Sequence, residues 1–184
     1  MRQLSVRRLS VLLGALAIVA ALPLRAAAAD DPKIDFAVGY SLMHDSDVDG
    51  NFPMGWFVSV GKKVMPTISI VGDVSGNYKT ITITPGVDAK LKVHTFVAGP
   101  RWSDRQGQIT PWAQVLVGMA NMSGSVFGIG ASETGFAVQP GGGIDFDVNG
   151  SVGVRLGGNL RFIRSSGTTG KEFQFVAGIV MHSR

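Results

Sequence analysis

From Thr134 to Ile163 the side chains alternate with a period of two, and this constrains the fold more than anything else in the chain. Phe136, Val138, Pro140, Gly142, Ile144, Phe146 and Val148 share one parity; Gly135, Ala137, Gln139, Gly141, Gly143, Asp145 and Asp147 share the other. After Asn149-Gly150 the pattern resumes, with Val152, Val154, Leu156, Leu160 and Phe162 set against Ser151, Gly153, Arg155, Gly157, Asn159 and Arg161. Successive side chains of a strand face opposite ways. Each strand therefore has one apolar face and one small, polar or charged face. Asn-Gly favours a two-residue hairpin turn, and that turn is expected here. Such a hairpin either wraps an apolar core or is turned inside out, apolar side toward lipid.

The same period runs through the rest of the chain, and apolar residues do not recur at helical spacing. Strands are expected at 33–42, 54–61, 67–78, 91–102, 109–121, in the two arms of the hairpin above, and at 172–182. In the fourth, Pro100 is expected at the strand end or at a bulge. That makes eight strands, most of about 9–12 residues, the length a tilted strand needs to cross a bilayer. The connections alternate in length. Those at 44–53, 79–90, 122–133 and 164–171 are long, with 79–90 readable as a loop or as a hairpin extension; those at 62–66, 103–108 and 149–150 are short.

Residues 1–29 carry the pattern of a cleavable signal peptide: Arg2, Arg7 and Arg8, an apolar run from Leu9 to Leu24 broken only by Ser10, and Ala27-Ala28-Ala29 before a cut at Asp30. The apolar run is shorter than the roughly 20 residues of a transmembrane helix. The formal charge of +4 equals the contribution of Arg2, Arg7, Arg8 and Arg25. Residues 30–184, read as one domain, are therefore neutral, and the composition gives no argument for nucleic-acid binding. The chain has no cysteine, which excludes disulfides, Cys-ligated metals and a lipidated cysteine anchor.

Three features favour lipid against the apolar face. Asp35, Asp73, Arg101, Asp145, Asp147, Arg155, Arg161 and Glu172 lie on faces otherwise rich in Gly, Ser, Gln and Asn. In a narrow barrel, glycine makes room for such long side chains. Aromatic residues gather near strand ends on the apolar face: Phe36, Tyr40, Trp56, Tyr78, Trp102, Phe136, Phe162 and Phe173. Such girdles mark membrane interfaces. A closed barrel also satisfies its whole backbone in lipid. The expected fold is all-β: an eight-stranded antiparallel up-and-down transmembrane β-barrel behind a cleavable signal peptide.

Residues 30–184 resemble the small bacterial outer-membrane β-barrels of OmpA-like and OmpX-like type. The resemblance rests on the signal peptide, the Gly-rich alternating strands, and the segments VGDVSGNY (71–78), HTFVAGPR (94–101) and FQFVAGIV (173–180). It implies a Gram-negative outer membrane, lipid contact, delivery by the barrel-assembly machinery, and long loops on the cell exterior. Such barrels usually finish on an aromatic residue, whereas this sequence finishes Met181-His182-Ser183-Arg184. An OmpA-like cell-wall tether is not expected.

Lumen-facing polar residues are expected at Asp35, Asp73, Arg101, Gln114, Asp145, Arg155, Arg161 and Glu172. Asp45, Asp47 and Asp49 in DSDVDGN form the first half of a Ca²⁺-type loop, with Trp56 where the bidentate Glu would stand. Calcium is the one cofactor candidate. His44, His94 and His182 are not spaced as a catalytic triad, and Gly141–Gly143 lies mid-strand rather than in a phosphate loop, so no enzyme is expected. The expected role is a monomeric structural or surface-interaction barrel. A narrow, porin-like pore and a secreted lipocalin-like carrier of a hydrophobic ligand are the alternatives.

Overall fold

The structure, a computed structural model, describes residues 33–45, 50–84, 87–126 and 129–183. Residues 1–32, which include the expected signal peptide, lie outside it. The elements are β1 (Ile34–Asp45), β2 (Gly50–Phe52), β3 (Met54–Met65), β4 (Ile68–Thr84), β5 (Val87–Ser103), β6 (Ile109–Val126), β7 (Ile129–Asp147), β8 (Val152–Ser165) and β9 (Thr168–Ser183). No helix occurs among the described residues.

β2 and β3 form a single stave. Met43 pairs with Phe52 and Tyr40 with Trp56, so three steps on β1 face four on its partner, and the extra residue falls at Pro53. Proline cannot donate to the ladder, and a bulge absorbs it. Each stave pairs antiparallel with its sequence neighbours, and β1 closes on β9 through twelve paired positions from Ile34↔Ser183 to Asp45↔Glu172. The result is a closed eight-stave, up-and-down barrel.

The expected parity holds along every stave. Val38, Tyr40, Val60, Ile70, Phe96, Val115, Met119, Phe136, Leu160 and Ile179 are exposed on the outer wall, while Ser41, Ser59, Ser75, Thr95, Gln139 and Gln174 are buried inside. The arrangement inverts that of a lipocalin-like carrier, whose interior would have to be apolar.

Several local expectations are corrected. Segment 122–133 is not a loop: β6 and β7 continue through it, pairing Met122↔Glu133, Ser123↔Ser132 and Ser125↔Gly130. For 79–90, readable as a loop or as a hairpin extension, the extension holds, with β4 and β5 pairing Tyr78↔Lys92 and Thr80↔Lys90. Past the apolar band the ladder is held by backbone bonds alone, so Ser, Thr and Gly can carry it. Segment 164–171 contracts to a two-residue turn in which Ser166 (φ 48°) and Gly167 (φ 85°) are both left-handed, as a type I′ hairpin requires. Asn149-Gly150 does not form such a turn. The connection is Val148–Ser151, and Asn149 Oδ1 accepts the amides of Ser151 (3.2 Å) and Val152 (2.9 Å). Pro100 sits within β5, neither at its end nor at a bulge. The β5–β6 pairing lapses between Ala98↔Val117 and Arg101↔Gln114 and resumes in the same register.

Candidate functional site

A connected polar network built on directly opposed residues runs through the barrel interior, with buried apolar residues such as Phe57 and Leu116 packed beside it. Register places Asp145 of β7 opposite Arg155 of β8, Arg161 of β8 opposite Glu172 of β9, and Arg101 of β5 opposite Gln114 of β6. Opposed side chains on one face lie close enough to interact.

Near the short-turn end, Arg155 donates to both oxygens of Asp145 (2.8 and 2.7 Å) and to Asp35 Oδ2 (3.3 Å). Arg101 donates to the same Asp35 oxygen (3.2 Å), to Ser59 (3.3 Å) and twice to Gln114 Oε1 (2.9 and 2.7 Å). Both guanidinium groups lie against Trp112, with Arg101 4.8 Å and Arg155 5.4 Å from the ring centroid, and the indole donates to Asp145 Oδ1 at 3.1 Å. An arginine over an indole face is a favourable cation–π pairing. Gly157 leaves room for the ring; a Cβ there would stand 2.6 Å from Trp112 Cζ2. Arg105 and Asp147 form an ion pair at the short-turn mouth, with His182 Nε2 3.2 Å from Asp147 Oδ1. A cavity of about 50 Å³ lies beside them, lined by Asp35, Arg101, Arg105, Asp145 and His182 among others.

Gln114 Nε2 then donates to Asn159 (3.1 Å), Asn159 to Gln174 (3.2 Å), Gln174 to Ser41 (2.8 Å), and Ser41 to Asn77 (2.8 Å). Arg161 completes the column. It is fully buried and donates to Gln139 (2.8 Å), Glu172 (3.2 Å), Ser75 (3.1 Å) and Gln174 (3.1 Å). Asp73 is buried in the field of Arg161, Arg101 and Arg155, and its Oδ1 has no hydrogen-bond partner. A buried charge is costly unless paired and hydrogen-bonded, and this column pairs nearly all of its charges.

All eight residues expected toward the lumen therefore project inward, Asp35 partly buried and the other seven buried. Sequence reading did not single out Trp112, Gln139, Asn159 or Gln174. The signal for them was parity: each shares the inward face with an expected residue of its own strand.

Above Arg161 the lumen turns apolar. Met43, Phe52 and Val93 pack together, with Leu91 and Met122 against them. Over this lid the long-hairpin end opens into a cup of about 690 Å³, walled by Phe52, Leu91, Val93, Met122, Glu133 and Ser166 among others. At its rim the Ser165 and Ser166 hydroxyls donate to Glu133 (2.6 and 2.7 Å) and hold its carboxyl below the usual glutamate range.

The calcium candidate is only partly described. Asp45 ends β1, whereas Asp47 and Asp49 lie outside the described residues. Among the described residues no cluster of His, Asp or Glu is arranged to hold a metal. The three histidines lie apart, His44 beside Asn51 (2.8 Å), His94 beside Tyr78 (3.1 Å) and His182 beside Asp147.

No protein-family model matches the chain, and no curated protein matches it by sequence. Solved structures do. Neisserial surface protein A, NspA, aligns with a TM-score of 0.61 at 15% identity, over 81% of this chain and 95% of that one. Ail, the attachment invasion locus protein of Yersinia pestis, aligns with a TM-score of 0.52 at 12% identity, over 80% and 96%. Ail in complex with the heparin analogue sucrose octasulfate aligns at 0.54 and 15%. The chain has the fold of the small bacterial outer-membrane β-barrels. Its exposed apolar side chains form the outer wall of that fold, and its polar column lies in the interior.

Proposed function

We propose that this chain is a monomeric, non-enzymatic barrel of the bacterial outer membrane that acts through its exposed end by surface interaction. In this reading residues 1–29 direct export, the barrel-assembly machinery inserts residues 30–184, the short turns face the periplasm and the long hairpins face outward. One observation carries it: hydrogen-bonded side chains fill the lumen from Asp35 to Arg161, and Met43, Phe52 and Val93 cap it. A lumen filled in this way supports a surface role over a pore, and the cup and the extended hairpins are the surfaces that would meet a partner. The similar folds of an attachment invasion locus protein and a surface protein agree with that role.

The test combines two measurements. Membrane fractionation with heat-modifiable gel migration should place the folded chain in the outer membrane. Planar bilayers containing it should show no unitary conductance. Stable conductance steps would replace this reading with the narrow pore, and recovery in the aqueous fraction would replace it with a secreted carrier.

A further inference from the structure

On the outer wall of β5–β7, past the apolar band, two lysines and a group of hydroxyls form a concavity with no carboxylate in its lining. Register sets the order. Outward on β5 come Phe96, His94, Lys92 and Lys90, opposed on β6 by Met119, Asn121, Ser123 and Ser125. On β7 the corresponding residues are Phe136, Thr134, Ser132 and Gly130. The wall thus passes from hydrocarbon to amide and imidazole to ammonium and hydroxyl in two-residue steps. From Phe96 to Lys92 is about 13 Å along the strand. A tilt of about 40° turns that into roughly 10 Å of depth, which brings Lys92 to the headgroup layer.

The aromatic groups give the same depth independently. Trp56 Nε1 donates to the Tyr78 hydroxyl at 3.1 Å, and that hydroxyl lies 3.1 Å from His94 Nε2. Gly76 permits the arrangement, since a Cβ there would stand 2.8 Å from Trp56 Nε1. Trp and Tyr with their polar ends engaged mark a membrane–water interface, and Tyr78 stands directly opposite Lys92. Immediately above, Lys90, Lys92, Ser123, Ser125 and Ser132 line a concavity of about 300 Å³. Asp88, farther out on the same face of β5, accepts the Thr82 hydroxyl at 2.8 Å.

We propose that this concavity binds the phosphate of an anionic lipid in the surrounding leaflet. Ammonium groups and hydroxyl donors suit a phosphate oxygen set. The continuous apolar wall below, from Phe96 and Met119 to Phe136, accommodates the acyl chains of the same molecule. The inference goes beyond the surface-interaction role and shares only its membrane orientation.

The test uses the folded chain in phosphatidylcholine vesicles with increasing phosphatidate. In a Trp102→Phe background, which removes the other outward-facing tryptophan, quenching by bromine-labelled phosphatidate against bromine-labelled phosphatidylcholine reads the relative association at the Trp56 side of the barrel. Phosphatidate should be preferred, and Lys90→Gln with Lys92→Gln should lower the preference about 25-fold, or about five-fold per charge. The conservative Lys90→Arg, Lys92→Arg pair should retain it, as should Lys33→Gln. Equal association of the two lipids overturns the proposal, as does a preference unchanged in the Gln variant. So does lysine-dependent calorimetric binding of free inorganic phosphate or a soluble sulfated sugar without phosphatidate preference. Failure to insert at all, read by heat-modifiable migration, would instead count against the membrane reading itself.

Discussion

Arg155 and Asp35 meet at 3.3 Å across the lumen although 120 positions separate them in the chain. The contact ties the penultimate stave to the first, past the stave between them. Asp35 also accepts from Arg101, so three strands not adjacent in the sheet converge on one carboxylate. The interior thus cross-braces the cylinder as well as filling it.

Asp145 and Asp73 should therefore respond differently to loss of charge. Asp145 accepts from Arg155 through both oxygens and from Trp112, and breaking a buried pair strands its partner. Asp145→Asn should cost about 3 kcal/mol. Asp73 leaves one buried oxygen unpartnered, and Asp73→Asn should stay within about 1 kcal/mol of the parent. Reversible urea unfolding in lipid vesicles measures both.

The outer wall can be probed at one cross-strand pair. Val38 and Ile179 face each other in the closing seam and are 40% and 52% exposed. Ile179→Arg should destabilise the inserted barrel by about 2–4 kcal/mol, the cost of an arginine on the lipid face near the midplane. Were that wall in water, the substitution would leave stability almost unchanged, which vesicle refolding would reveal.

Trp112 and Gly157 should behave as a coupled pair. Gly157→Ala pushes a methyl against the indole and should cost about 1–3 kcal/mol by overpacking. In a Trp112→Leu background the same change should cost at least 1 kcal/mol less, the coupling expected of residues in contact. A double-mutant cycle of unfolding free energies gives the number.

Glu133 supplies a pH dependence at the rim. Its carboxyl is held below the ordinary range by Ser165 and Ser166. The contribution is therefore complete above the unfolded-state value and is lost as pH falls through the lowered, folded one. Amide-exchange protection at Ser165 and Ser166, taken relative to the intrinsic exchange rate at each pH, should fall on acidification through that window. In Glu133→Gln it should be flat across the same range.

Facing was legible in the sequence because parity is local and binary. The side on which Phe96, Met119, Asp145 and Arg155 stand follows from their neighbours two residues away. Strand ends were less legible. Ser123, Ser125 and Ser132 carry no apolar alternation, and only the partner strand's register shows that they continue a ladder. Turn chemistry misled at Asn149-Gly150, where the asparagine side chain bonds forward to two amides in place of adopting a left-handed backbone. The tight turn went to Ser166-Gly167, a pair with a weaker local preference. Trp112 escaped notice because a large aromatic on the polar face looks like an error of pattern until two arginines are placed against it.

The β1–β9 seam brings the two strand ends side by side, with the Lys33 amide donating to the Ser183 carbonyl at 3.0 Å. Topologically the strands form a loop whose interruption sits where the backbone is already bridged. Joining residues 33 and 183 through a short linker and reopening the chain at the Ser166-Gly167 corner would yield a circular permutant with every ladder intact. Its first and last staves would then be β9 and β8.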